Sequence, residues 1–272
     1  MAKLTRAEEQ IMNIAAESYS KMLDNIGVSV QVRHDFAAYR AIRAAHGEHH
    51  LNQVFDERHV EFSTGDFWLL AQNRTGAPIA TYCMRRFVID DFYDLIRSLT
   101  LWFSRPPLFA DRRFLVDCQI PPFGGQVAHG GGLWIRSDYR GFSRLAAIMP
   151  RVARTVALRS WSFDHDSAMI RDDPSDTAEI AERKANYMGQ RVYGYARVAR
   201  FVDGWFPPEG RAAIMHLCHA TKEEAISSLT VAPMVAGNLR RTELRKTPLI
   251  DQDYKPVYAP AILSKRQQQA RI

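Results

Sequence analysis

The run from Gln126 to about Ala157 constrains this chain more than any other stretch. It opens with Gln126-Val-Ala-His-Gly-Gly-Gly-Leu-Trp-Ile135, whose glycines and apolar residues suit a strand with an open face. Arg136-Ser-Asp-Tyr-Arg-Gly141 is a polar turn. Leu145, Ala146, Ile148, Met149, Val152, Ala153 and Val156 then recur at helical spacing. Pro150 falls inside that run and is expected to kink or split the helix. The order is strand, polar loop, helix N-terminus. First-turn amides of a helix lack internal partners and carry partial positive charge, so this arrangement suits a phosphate.

Leu133-Trp-Ile-Arg-Ser-Asp-Tyr-Arg-Gly141 resembles the acyl-CoA-binding motif of the GNAT superfamily of N-acetyltransferases. There a strand leads into an Arg/Gln-x-x-Gly-x-Gly/Ala loop that wraps the CoA pyrophosphate. Arg140 and Gly141 fit that loop, while Ser143 and Leu145 stand at its next two small positions. A side chain at Leu145 is expected to crowd a backbone–phosphate contact. The resemblance implies an α+β fold with a mixed sheet. It adds an N-terminal helix, an insertion between the family's third and fourth strands, and an extended C-terminal tail. It also implies acetyl-CoA or another acyl-CoA as co-substrate, an amine as acceptor, and no metal. Cofactor contacts fall on Leu133, Trp134 and Ile135 of the strand and on Arg140, Gly141, Phe142, Ser143 and Arg144 of the loop.

The rest of the chain divides as 1–27, an N-terminal helical extension; 28–230, the GNAT-like domain; and 231–272, a basic extended tail. Ile11, Ile14, Ala15, Tyr19, Met22 and Leu23 form the apolar face of a helix over 5–24, available to cover the sheet or to make a homodimer contact. Val28–Arg33 alternates as a half-buried strand, and Asp35 caps a helix through Ala45. Phe67–Gln72 and Pro78–Arg85 flank a Gly-containing turn and read as a hairpin. Asp90-Asp91 starts a helix whose apolar face runs through Phe92, Leu95, Ile96, Leu99, Trp102 and Phe103. Phe114–Ile120 reads as a strand, and Trp161–Ile170 carries the family's fifth strand. A helix follows from Ala178 to about Gln190, then a strand from Arg191, a strand over Arg211–Cys218, and a helix from Thr221 to near Leu229. The aromatic-rich insertion either shapes an acceptor pocket or enlarges the core.

Acyl transfer from a thioester to an amine needs a base for the amine, donors for the oxyanion and a proton for the thiolate. In the resembled family, amides of the fourth strand serve the oxyanion, which places Leu133, Trp134 and Ile135 in that role. His129 is a candidate base, flanked by glycines that would let a ligand approach; it also reads as a strand histidine with a local hydrogen bond. Asp164 and His165 are the other candidates, with a turn or an ion pair as the plain alternative. For the acid, the family often uses a tyrosine four residues before the glycine of a tyrosine–glycine–aromatic turn. Taking Tyr193-Gly194-Tyr195 as that turn puts Gln190 at the position, with Tyr187 and Tyr193 as substitutes. Tyr193 reads first as a core residue, since its neighbour Gly194 only marks the turn.

His46, His49, His50 and His59 match no standard ligand spacing and have no cysteine nearby, so they read as solvated loop histidines near a substrate entrance. The chain lacks the nucleotide-binding Gly-x-x-x-x-Gly-Lys-Ser/Thr and Gly-x-Gly-x-x-Gly loops and the Gly-x-Ser-x-Gly elbow. Three widely spaced cysteines read as buried free thiols in a reducing cytoplasm. No apolar run is long enough for a bilayer, so no membrane partner is expected. The net charge of +6 owes much to Arg240, Arg241, Arg245, Lys246, Lys255, Lys265, Arg266 and Arg271. That tail is the part expected to meet nucleic acid, if any part does. The rival to an enzyme is therefore a GNAT-like scaffold without catalysis, contacting a protein or nucleic acid.

Overall fold

The computed structural model describes residues 4–49, 51–106, 114–118, 120–140, 144–171, 178–198 and 213–235. The elements are α1 (Arg6–Asn25), β1 (Val28–Arg33), α2 (Phe36–Ala45), β2 (Phe67–Asn73), β3 (Pro78–Ile89), α3 (Phe92–Arg97) and β4 (Phe114–Cys118). Then come β5 (Gly125–Ile135), α4 (Leu145–Trp161), β6 (His165–Arg171), α5 (Ala178–Met188), β7 (Arg191–Val198), β8 (Ala213–Thr221) and α6 (Lys222–Val235). The sheet order is β1-β2-β3-β5-β6-β8-β7-β4. Among the described strands every pairing is antiparallel except β5 with β6. Without β4, this is the strand order and helix placement of the GNAT-superfamily acetyltransferase fold. α3 and β4 form the insertion, and β4 pairs with β7 at the far edge. The excursion leaves from Ile89 and returns at Gly125, residues that face each other in the β3–β5 ladder.

Local chemistry explains most of the boundaries. Thr5 and Glu8 make a reciprocal capping box at the start of α1, and the Asp35 carboxylate caps α2 through the Ala38 N–H at 3.2 Å. Thr221 and Glu224 make a second capping box where β8 turns directly into α6. One core lies between the sheet and α1, α4 and α6, with Met12, Tyr19, Phe67, Leu69, Ile148, Leu158, Trp161 and Leu229 among its residues. The Tyr19 hydroxyl donates to the Leu229 carbonyl, tying α1 to α6. A second core lies on the other face, where Phe36, Tyr39, Phe55, Trp68, Phe92, Trp102 and Phe123 gather. α5 covers Ala168, Val192 and Cys218 through Ala181 and Ala185, and it touches α4.

Several expectations need correction. α4 is one helix with Pro150 inside it, so the proline does not split it. α3 stops at Arg97, because Leu99 adopts φ +70° and turns the chain back through Leu101 and Trp102. Trp161 ends α4 instead of belonging to a strand, and β6 begins at His165. Ile14 is exposed, and Met12 takes the inward position. His219 lies within β8, and α6 continues through Val235, past the expected helix end near Leu229. Tyr193-Gly194-Tyr195 is not a turn but part of β7, at a bulge against β8. The glycine that ends α5 is Gly189, at φ +80°. His50, Gly141, Phe142, Ser143, the loop at 172–177, the turn at 205–210 and the tail beyond Val235 lie outside the described residues. Among the described residues, no helix is long and apolar enough to cross a membrane.

Candidate functional site

The parallel pair β5–β6 is hydrogen-bonded from Val127/His165 to Gly130/Ala168 and then separates. Past that point β5 stays paired to β3 through Gly131, Trp134 and Ile135. Past the same point β6 stays paired to β8 through Met169, Ile170 and Arg171. Their facing edges form a wedge-shaped opening in the sheet, lined by backbone polar groups outside the β5–β6 ladder. Leu133, Trp134 and Ile135 lie on one side of it.

β5 also carries a bulge there, since Thr81 and Cys83 of β3 face Trp134 and Gly131. Gly132 sits in the bulge at φ +63°. Its carbonyl accepts from Arg43 Nη1 at 3.0 Å, Tyr39 OH at 3.4 Å and Thr81 Oγ1 at 3.5 Å. In a planar trans peptide the C=O and N–H point in opposite directions, so the Leu133 N–H faces away from Arg43. Arg43 itself is buried, bonded to Tyr39 OH at 2.8 Å and close to the Trp134 ring.

The triple glycine has a packing reason. A methyl group at Gly130 would overlap the Tyr82 hydroxyl, one at Gly131 would lie 2.6 Å from the Phe55 ring, and one at Gly132 would lie 2.7 Å from Tyr39 OH. Three aromatic side chains cross β5 at its glycines. The space beside His129 that the sequence suggested for a ligand is filled by protein.

His129 is fully buried, one residue before the apex of the opening. Its Nδ1 lies 2.9 Å from Ser167 Oγ, and Phe55, Phe87 and Phe92 surround the ring. Burial, reinforced by the Arg85 guanidinium, pushes its pKa down to about 3, so the imidazole is neutral at pH 7. Asp164 is exposed, and its carboxylate accepts the Gln126 N–H at 2.9 Å, which ties down the start of β5. His165 Nδ1 lies 3.0 Å from His219 Nε2. Phe123 and Tyr193 close around this pair, with ring centroids 4.6 Å and 5.5 Å from His219. Burial, with His165 alongside, pushes His219 down to about 4, and burial also lowers His165. His165 begins β6 three residues before Ala168, roughly 10 Å from the apex at strand rise. The structure thus gathers His165 and Tyr193 together, and leaves them and Asp164 at the end of the sheet away from the opening.

On the helix side of the opening, Asp166 is fully buried and accepts from Arg154 Nε at 2.7 Å and Gln190 Nε2 at 2.9 Å. Arg154 also bonds the Met188 carbonyl and Ser228 Oγ, so one guanidinium joins α4, α5, β6 and α6. No local sequence pattern announces this cluster, whose members come from four separate elements. A cavity of about 350 Å³ lies beside it, between Arg151, Gln190, Ser228 and the Glu223–Glu224 rim. The position four residues before Gly189 is Ala185, fully buried and without a proton to give.

α4 begins at Arg144, which has φ +56°, and no side chain caps it. Leu145 is fully buried in the core, so its side chain turns inward under the helix. Arg140 Nε donates to the Ile135 carbonyl at 2.7 Å, closing the end of β5. Among the described residues no three His, Cys, Asp or Glu side chains converge as a metal site. His46 packs on Trp134 and His59 on Phe103.

No protein-family model and no curated protein matches the chain. Solved structures similar to it include an acetyltransferase of the GNAT family from Streptococcus pneumoniae, at 12% identity and TM-score 0.40, over 71% of this chain and 99% of that one. A dodecameric spermidine N-acetyltransferase from Vibrio cholerae aligns at 10% identity and TM-score 0.41, over 73% of this chain and 95% of that one.

Proposed function

We propose that the chain is an acyl-CoA-dependent N-acyltransferase, with acetyl-CoA as the first donor to test and an amine as acceptor. The observation that carries this reading is the parallel β5–β6 pair that opens after Gly130/Ala168 beside a bulge at Gly132. An acyl-pantetheine arm has the extended shape and the amide groups to occupy such an edge. In this reading Leu133, Trp134 and Ile135 bind that arm. The amides from Arg140 to Arg144 and the uncapped start of α4 take the pyrophosphate, where partial positive charge favours an anion. The insertion walls the acceptor side. Of the proton-transfer candidates, His129 sits nearest the apex, but Phe55, Phe87 and Phe92 enclose its ring and burial keeps it from holding a proton; we assign the role of base to none of His129, Asp164, His165 and Tyr193.

Calorimetric titration with acetyl-CoA and longer acyl-CoAs tests the reading. Micromolar binding is expected, and absence of binding across the series removes it. The rival, a non-catalytic module, is favoured by Ala185 at the position where the family often has a tyrosine. It calls for a salt-sensitive gel shift with nucleic acid, or a captured protein partner, in place of CoA binding.

A further inference from the structure

Tyr82 is a β3 residue opposite the β5 bulge, and it is 2% exposed. Its ring crosses β5 over Gly130, where any side chain would collide with the hydroxyl. Gly130 and Ala168 are the last pair before β5 and β6 part, so the hydroxyl lies at the apex of the opening. It is on the helix side, within electrostatic reach of Asp166 and Arg154. Among the described residues it makes no hydrogen bond. Gln190 Oε1, which belongs to the same Asp166 cluster, is buried without a partner.

The hydroxyl oxygen is not among the buried polar atoms left without a partner, so the ring is buried while its polar tip keeps access to the opening. Phenylalanine would fill the same space without placing a donor there, and the hydroxyl is open to a partner that arrives from outside. The opening admits one through the separated strand edges, and the glycine at 130 leaves the phenol facing it.

We propose that Tyr82 is a catalytic residue whose hydroxyl donates a hydrogen bond to the carbonyl oxygen of a bound acyl-CoA thioester. This rests on the acyltransferase reading above. The amine nitrogen attacks the carbonyl carbon, a C–N bond forms, and the C=O π electrons move onto oxygen, where the Tyr82 O–H meets them. Collapse restores C=O and breaks C–S. The proton lost by the amine nitrogen ends on the departing thiolate, so acyl-CoA and amine become amide and CoA thiol. Tyr82 keeps its own proton throughout. Burial, and the Asp166 carboxylate, hold that proton more tightly than in a free phenol.

The test compares wild type with Tyr82→Phe, using acetyl-CoA labelled with ¹³C at the carbonyl and isotope-edited infrared spectroscopy, with calorimetry for affinity. The bound thioester carbonyl band should lie below its position in free acetyl-CoA for wild type, and return toward the free position in the variant. Affinity for CoA itself, which has no acyl carbonyl, should be equal in both proteins within about threefold. An unshifted band in wild type, or the same band in both proteins, overturns the assignment. So does a variant that fails to fold or loses CoA affinity, since the hydroxyl would then be structural. Failure of wild type to bind any acyl-CoA instead removes the acyltransferase reading, and the role of Tyr82 with it.

Discussion

Arg43 Nη1 donates to the Gly132 carbonyl at 3.0 Å, so a helix residue far away in sequence fixes the irregular rung of β5. The bond is charge-assisted and buried, and its loss leaves a turned carbonyl with only two longer contacts. Arg43→Met is expected to destabilise the protein by about 2–3 kcal/mol. It should also weaken acetyl-CoA binding at least tenfold, by releasing the bulge. Calorimetry on a folded Arg43→Met sample settles the second point; unchanged affinity would separate the bulge from ligand binding.

Gly132→Ala meets two obstacles, a left-handed φ and the Tyr39 hydroxyl. Gly76 has φ +79° but open space around it, so Gly76→Ala meets only the first. Urea melts should show Gly76→Ala costing about 1 kcal/mol and Gly132→Ala about 2–4 kcal/mol. Equal costs would mean that Tyr39 moves aside freely.

Asp166→Asn removes the charged partner of buried Arg154 and should cost about 3–5 kcal/mol. Asp94→Asn disturbs only the exposed Arg97 pair and should stay within about 0.5 kcal/mol. Denaturant midpoints of the two variants check the contrast, which fails if they move together.

Stability should fall in acid through buried imidazoles. His129 and His219 have folded pKa values of about 3 and about 4, against about 6.5 when unfolded. Below pH 6.5 the unfolded chain therefore binds protons that the folded chain refuses. Their contribution is fully present above pH 6.5 and is lost as pH falls toward 4, by up to about 1.4 kcal/mol per pH unit for each group. Urea midpoints measured from pH 7.5 to 4.5 should decline accordingly, and His219→Asn should make the decline shallower. A parallel decline in that variant would exclude His219 as a source.

Met12→Ala should cost about 2–4 kcal/mol, whereas Ile14→Ala should be near neutral, because Met12 is 1% and Ile14 56% exposed. Thermal melts of the two proteins report this directly, and a large loss from Ile14→Ala would place a partner on that face of α1.

Features carried by neighbours in sequence were legible from it. The Asp35 cap, the Thr221–Glu224 box, the hairpin at Asn73–Gly76 and the strand–loop–helix around Tyr139 depend on residues a few positions apart. The apolar spacing of α3 continues through Leu99 and Trp102 although the helix stops at Arg97, because periodicity cannot register that Leu99 turns left-handed. Tyr193-Gly194-Tyr195 resembles the family's turn in sequence, but the glycine that turns left-handed is Gly189; both stand near tyrosines, and only φ distinguishes them. The candidate site was half legible. Trp134 and Arg140 lie in the one stretch whose local pattern stands out, whereas Arg43, Tyr82 and Asp166 come from other segments, and no local pattern announces such meetings.

Because Ile89 and Gly125 occupy one rung, everything between them is an excursion that departs from the ladder and rejoins it at the same place. A short connector grafted across that rung would leave the register of β3 and β5 as it stands. What would vanish is the aromatic lining from Phe92, Tyr93 and Phe123, together with the strand that shields the outer rim of β7. The sheet register and the aromatic excursion are thus specified separately, the first by the ladder and the second by the side chains between its two ends.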